Sequence, residues 1–186
     1  MSANECEGKP QVISSDLRDL GDIHDLNNFQ CLLYDGLYLP MAPPKRLEGR
    51  SQLENYKSIK DAQLNRDDVI LCAYLKCGNH WLFEVLGMLT TGSLLYRKSL
   101  PRSQMIDFIY KDGIESLPPP RLLVTHLPLR MLPTQVVEKK LKCIQIRRNP
   151  KDVCVSMYNN FRNLAVPKSF EGNFAEFTEA FLSGEM

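Results

Sequence analysis

VILCAYLKCGNHWLFEVLGML, residues 69–89, decides the fold. Val69 to Tyr74 are apolar without a break, which fits a parallel strand covered on both faces rather than a half-exposed, alternating one. The run passes through Lys76 and Gly78 into a stretch that predicts a helix over Trp81 to Leu89. The pattern returns in CIQIRRNPKDVCVSMYNNF, residues 143–161, where an apolar strand ends at Arg147-Arg148 and a helix follows. Asn149 can cap that helix, Pro150 suits its first position, and Asp152 falls where a carboxylate can answer exposed N–H groups. Between them RLLVTHLPL, residues 121–129, is a third apolar run and ends in His126. Strand-to-helix junctions present unpaired N–H groups and the positive end of a helix dipole. Two of them carrying cations in one α/β domain point to a ligand with at least two phosphate-like groups.

Outward from these junctions the chain is less informative. Residues 1–28 are polar and read as a loosely held arm, with Leu17, Leu20 and Leu26 spaced for a short helix at most. A domain of residues 29–186 follows. LLYDGLYLP reads as a hairpin, because Asp35-Gly36 can take the positive φ angles of a two-residue turn. After Pro43-Pro44, LEGRSQLENYKSIKDAQ predicts an exposed helix. The mixed, aromatic stretch from Leu94 to Ile114 predicts irregular structure lining a pocket, and Pro118-Pro119-Pro120 ends it. LPTQVVEKKL predicts a short helical crossover, and FAEFTEAFL a last amphipathic helix with Phe174, Phe177 and Phe181 on one face.

Composition narrows the class. The 186 residues suffice for a sizeable core, and a formal net charge of +1 gives no electrostatic case for a nucleic-acid partner. A small-molecule ligand is the default. No apolar stretch approaches the roughly 18 residues of a membrane span, and the start is too polar for a signal peptide, so a cytoplasmic location is expected. The six cysteines form no CxxC pair, which predicts neither a zinc site nor a disulfide framework. Cys77, at a helix start beside Lys76, carries the further expectation of an activated thiol.

Taken singly, the chemical residues have ordinary explanations. Lys76 can be a solvated strand-end lysine, His126 a hydrogen-bonded structural histidine, and Arg147-Arg148 surface arginines beside a helix cap. A Walker A loop is excluded, because its lysine follows the second glycine and precedes Ser or Thr, whereas Lys76 precedes Gly78. A phosphotransferase of the nucleotide-kinase type is disfavoured for the same reason.

Together and in this order, YLKCGNHWL, RLLVTHLPLRMLP and IRRNPKDVCVSMY resemble the phosphosulfate loop, the catalytic-histidine strand and the 3′-phosphate motif of the cytosolic sulfotransferase family. The resemblance implies an α/β fold, a nucleotide-kinase-like (P-loop-type) parallel sheet flanked by helices. It implies 3′-phosphoadenosine 5′-phosphosulfate as donor, no metal, and a phenol, alcohol, steroid or amine as acceptor, in xenobiotic or steroid metabolism. Lys76 would meet the bridging oxygen of the phosphosulfate and His126 would take the acceptor's proton. Cys77, Gly78, Asn79, His80 and Trp81 would complete the donor loop, with the indole near the adenine, and Arg148 and Ser156 would hold the 3′-phosphate. The full-length family allows a homodimer.

The chain departs from the family pattern in three places. Leu75, Cys77, Asn79 and His80 stand where the family reads proline, serine and two threonines, and Val124 stands where a lysine often precedes the Thr-His pair. The family's later strand and Arg-Lys-Gly segment are not found, so the fold is expected to be incomplete on its C-terminal side, with an open sheet edge. A non-catalytic remnant that binds nucleotide weakly or acts through protein contacts is the alternative.

Overall fold

The computed structural model describes residues 22–26, 29–40, 50–94, 102–162, 170 and 172–184. Three short strands come first: β1 (Asp22–Leu26), β2 (Phe29–Tyr34) and β3 (Leu37–Pro40), an antiparallel sheet in that order. Asp35 and Gly36 have φ of 50° and 72°, the geometry that lets a two-residue turn follow the strand twist, so the expected hairpin is present. Asp22–Leu26, expected within an unpaired arm, instead pairs with β2 from Asp22↔Leu33 to Leu26↔Phe29. A ladder asks only for backbone N–H and C=O groups, so a polar sequence beside an open strand edge suffices. Leu17 and Leu20 of the expected short helix lie outside the described residues.

Helix α1 (Gln52–Ile59) starts at Ser51, whose hydroxyl accepts from the Glu54 N–H while the Glu54 carboxylate accepts from the Ser51 N–H. It is shorter than the expected helix over 47–63 and is not simply exposed. Tyr56 and Ile59 are buried, and so are the polar Gln52 and Asn55. Both amides donate to the main-chain carbonyl of Asp107, at 3.2 and 3.1 Å. Polar burial of this kind leaves no apolar stripe for a periodicity reading to detect.

The second sheet is parallel. Strand β4 (Val69–Ala73) lies between β5 (Leu122–Thr125) and β6 (Lys142–Ile146), with Val69 opposite both Leu122 and Lys142. Ile70 and Leu71 of β4 are fully buried, and all four residues of β5 are buried, as continuous apolar runs require. No residue of β6 is buried, and among the described residues it pairs with β4 alone. Helix α2 (Asn79–Thr91) follows β4; the short α3 (Lys111–Glu115) precedes β5; the short α4 (Gln135–Glu138) connects β5 to β6; α5 (Pro150–Arg162) follows β6. The last element, α6 (Phe174–Ser183), is capped by Asn173 and packs on α5, where Tyr158 meets Phe170, Phe174 and Phe177 with ring centroids 5.1–6.3 Å apart.

The N-terminal ends of β4 and β5 are tied by a buried ion pair. The Arg121 guanidinium donates to both oxygens of Asp68, to the Ile114 carbonyl at 2.8 Å and to the Gln63 carbonyl at 3.0 Å. The opposite, C-terminal ends of the strands are thereby left for binding.

Of the stretch from Leu94 to Ile114 expected to line a pocket, residues 95–101 lie outside the described residues, and Met105 to Asp107 are buried in the core. Two 3₁₀ turns, Arg102–Gln104 and Ile106–Phe108, flank Met105, which bridges in parallel to Val124 beside β5. Ile106 and Asp107 are wholly buried there.

Candidate active site

Three loops leave the C-terminal ends of β4, β5 and β6 and meet. The first carries Lys76 to Gly78 into α2, the second carries His126, and the third carries Arg147 and Arg148 into α5. β4 lies between β5 and β6, and the carboxyl ends of the strands of such an open α/β sheet are where ligands bind.

The first loop is held by unusual backbone angles. Lys76 has φ 60° and Gly78 φ 112°, and a Cβ on Gly78 would lie 3.3 Å from the Ile146 Cδ1 of β6. Glycine thus allows the loop to lie close to β6 while α2 begins at Asn79, whose first turn leaves N–H groups without helical partners. Arg148 donates to the Lys76 carbonyl at 3.0 Å, which locks the third loop to the first. The remaining guanidinium donors of Arg148 lie at an exposed position. Arg147 is turned back onto Gln145.

The Lys76 ammonium bonds to Oδ1 of Asn160 on α5 at 3.0 Å. Asn160 lies one helical turn beyond the half-buried Ser156, so Lys76, Arg148 and Ser156 share one side of the crevice. An ammonium has three donors and can meet an anion without leaving Asn160. Trp81, 70% exposed, stands on the first turn of α2, and His80 beside it is also exposed. The Cys77 side chain is buried with Ala73, Val153, Cys154 and Met157, and its N–H is bonded to the Tyr74 carbonyl. Its thiol packs as a small apolar group at the wall of the groove beside Arg148.

His126 is the residue the second loop presents. Its Nδ1 lies 2.9 Å from the Ala73 carbonyl, which can only accept, so this contact places a proton on Nδ1 and leaves the lone pair on Nε2. The Asn79 amide is 3.1 Å from the same nitrogen, and Asn79 Oδ1 is buried without a partner. With the amide turned to present its oxygen, Asn79 shares the single Nδ1 proton with the Ala73 carbonyl. His126 and the first loop are thus in direct contact.

Asp107 lies behind His126. One carboxylate oxygen accepts from the Thr125 hydroxyl at 2.6 Å and the other from the His126 N–H at 2.8 Å, while the Thr125 oxygen accepts from the Leu127 N–H at 3.0 Å. Burial raises the Asp107 pKa above the ordinary carboxylate value, and the charge of His126, the Thr125 hydroxyl and the His126 N–H offset only part of that rise. Neither Asp107 nor Asn160 was singled out from the sequence. An acid inside the apolar run Met105 to Ile109 was the available signal for Asp107, since an unpaired aspartate is rarely buried. Asn160 could have been found from its position four residues after Ser156 on one helix face.

Beside Arg148 a groove of about 300 Å³ is lined by Tyr74, Cys77, Ile146, Val153 and Phe181. Among the described residues, no group of three or more His, Cys, Asp or Glu side chains is placed to hold a metal ion. Also among the described residues, no helix is long and apolar enough to cross a membrane.

The sulfotransferase domain model matches residues 66–186, which contain all three loops. The chain belongs to the sulfotransferase family. It is 38% identical over 130 residues to sulfotransferase 1A1 of the rat, Rattus norvegicus, covering 64% of this chain and 44% of that protein. The crystal structure of mouse sulfotransferase SULT7A1 complexed with PAP superposes with a TM-score of 0.56 at 32% identity, over 70% of this chain and 46% of that one. An Arabidopsis thaliana putative steroid sulphotransferase shares the fold, with a TM-score of 0.64 at 22% identity over 90% of this chain and 59% of the other. The chain therefore spans about half the length of these relatives. The α/β class and parallel sheet expected from the sequence are those of the sulfotransferase fold.

Proposed function

We propose that the crevice binds 3′-phosphoadenosine 5′-phosphosulfate and transfers its sulfuryl group to a hydroxyl or amine of a small acceptor, a phenol, alcohol, steroid or amine, in the cytoplasm. One observation carries this reading: Lys76, His126 and Arg148 come from three different strands and are joined by direct contacts, Arg148 to the Lys76 carbonyl and Asn79 to the His126 ring. The PAP complex of the mouse relative supports the choice of donor.

In this reading the N–H groups at the start of α2 hold the 5′ phosphate, the Trp81 indole lies against the adenine, and Arg148 with Ser156 holds the 3′-phosphate. His126 Nε2 takes the proton of the acceptor as its oxygen or nitrogen attacks sulfur. The bond from sulfur to the bridging oxygen breaks, and its electron pair stays on that oxygen, where the Lys76 ammonium offsets the growing charge. The products are the sulfated acceptor and adenosine 3′,5′-bisphosphate. Side-chain cations and backbone N–H groups perform the neutralisation in this scheme.

Calorimetric titration of the purified chain with adenosine 3′,5′-bisphosphate and with 5′-AMP tests the proposal. The Arg148 contact predicts a preference for the bisphosphate of about 1.5–3 kcal/mol, the value of a hydrogen bond to a charged group. Equal affinities would overturn it. Nucleotide binding without turnover is the second reading. A direct assay for sulfated product separates the two.

A further inference from the structure

We infer that Asp107 is the positioning residue for His126: its buried carboxylate fixes the histidine main chain so that the ring keeps its proton on Nδ1 and offers Nε2 to the acceptor. The inference rests on His126 being the base of the proposed reaction.

Asp107 is wholly buried, yet both of its carboxylate oxygens are spent on the residue pair at the end of β5. One takes the Thr125 hydroxyl and the other the His126 N–H. A buried carboxylate held only by neutral donors is costly, and an apolar residue would serve packing at less expense. Both partners are donors, which suits the ionised form. The carboxylate is itself immobilised, because its own main-chain carbonyl accepts from Gln52 and Asn55 of α1. Met105, two residues earlier, bridges to Val124, so the 3₁₀ turn is docked on the strand that carries the histidine.

This clamp determines which nitrogen is free. With the His126 N–H fixed, the ring reaches across to the Ala73 carbonyl at 2.9 Å, an acceptor that requires a proton on Nδ1. If the clamp is lost, the part-buried His126 N–H loses its acceptor and the loop shifts to satisfy it. The ring then leaves Ala73, and its tautomer is no longer selected.

The test is ¹⁵N NMR of the histidine ring and backbone in the full chain. The wild-type protein should show His126 as a single Nδ1–H tautomer, with a slowly exchanging backbone amide. Asp107→Ala should give averaged Nδ1 and Nε2 shifts and amide exchange about 10- to 100-fold faster, the factor for losing one charge-assisted hydrogen bond. Asp107→Asn, which retains one acceptor oxygen, should restore the Nδ1–H form. A folded Asp107→Ala protein that keeps the Nδ1–H tautomer would overturn the inference. Should that variant fail to fold, the wild-type chain still decides: an Nε2–H ring, or a His126 amide exchanging like an unprotected loop amide, refutes the clamp. Adenosine 3′,5′-bisphosphate should bind Asp107→Asn within about twofold of wild type, because Lys76 and Arg148 are untouched. A wild-type chain that fails to bind it would sink the donor reading and leave the tautomer result standing.

Discussion

Replacing Gly78 with alanine tests whether the donor loop is shaped by its backbone. At φ 112° a side chain is strained, and the added Cβ would stand 3.3 Å from the Ile146 Cδ1. The left-handed conformation costs an L-residue roughly 1–2 kcal/mol, and a sparsely populated angle up to about 3. The reduced entropy of the unfolded chain returns about 0.4–1 kcal/mol. The net loss is then about 1–2 kcal/mol, which for a chain of this size lowers the melting temperature by roughly 2–8 °C. The Ile146 Cδ1 is a side-chain end that can give by a few tenths of an ångström, so it is the φ strain that should move the loop, shift the N–H groups of Asn79 to Trp81 off the phosphate and lower affinity for the bisphosphate about tenfold. Gly92→Ala is the control. It lies at φ 65° with nothing within 4 Å of the new Cβ, at the far end of α2. It should cost comparable stability and leave affinity unchanged. Urea unfolding and calorimetry on the two variants supply the numbers. A Gly78→Ala protein with wild-type affinity would refute the view that close approach of this loop to β6 forms the anion site.

Lys76→Met or His126→Ala should each lower sulfuryl transfer about 100-fold or more, measured as product formed at saturating donor, if they stabilise the leaving oxygen and accept the proton; near-normal turnover in either removes the mechanism. Arg121→Met should destabilise the fold by about 3–5 kcal/mol in urea titrations, because Asp68 is left buried without its cation; a loss below about 1 kcal/mol would show that the pair is dispensable. In thiol labelling resolved by peptide mapping, Cys143 should react before Cys72, Cys77 and Cys154, since it is exposed, Cys77 and Cys154 are buried, and burial raises the thiol pKa of Cys143 but carries that of the half-buried Cys72 up to about 11. Faster reaction at Cys77 would restore the activated thiol that the sequence suggested.

The parts of the fold that were legible in the sequence are those in which local chemistry and tertiary role coincide. The apolar run of β4, the Asp35-Gly36 turn and the Asn149-Pro150 helix start each contain their own cause, and Asn149 does cap, accepting from the Lys151 N–H at 3.0 Å. The three loops could be located because cations at strand ends are conspicuous. What could not be read were contacts across long separations. Gln52 and Asn55 look like surface residues of an exposed helix until the Asp107 carbonyl is placed opposite them. Cys77 looks like a loop thiol until α5 and α6 are packed over it. The polar segment Asp22–Leu26 has no strand pattern of its own and takes one from β2.

The position of β4 at the centre of its sheet has a consequence for how the chain is made. Its two partners are encoded about fifty and about seventy residues after it. At a synthesis rate of about 5–20 residues per second, the apolar VILCA segment is translated roughly 3–10 s before β5 exists to pair with it. Throughout that interval the most hydrophobic strand of the protein has its backbone hydrogen bonds unmade and no sheet to join. Loop closure over such distances is slow even once translation is complete. The order of strands around β4 therefore leaves an extended apolar segment unpaired during synthesis, and the yield in a cell should respond to the supply of chaperones that hold such segments.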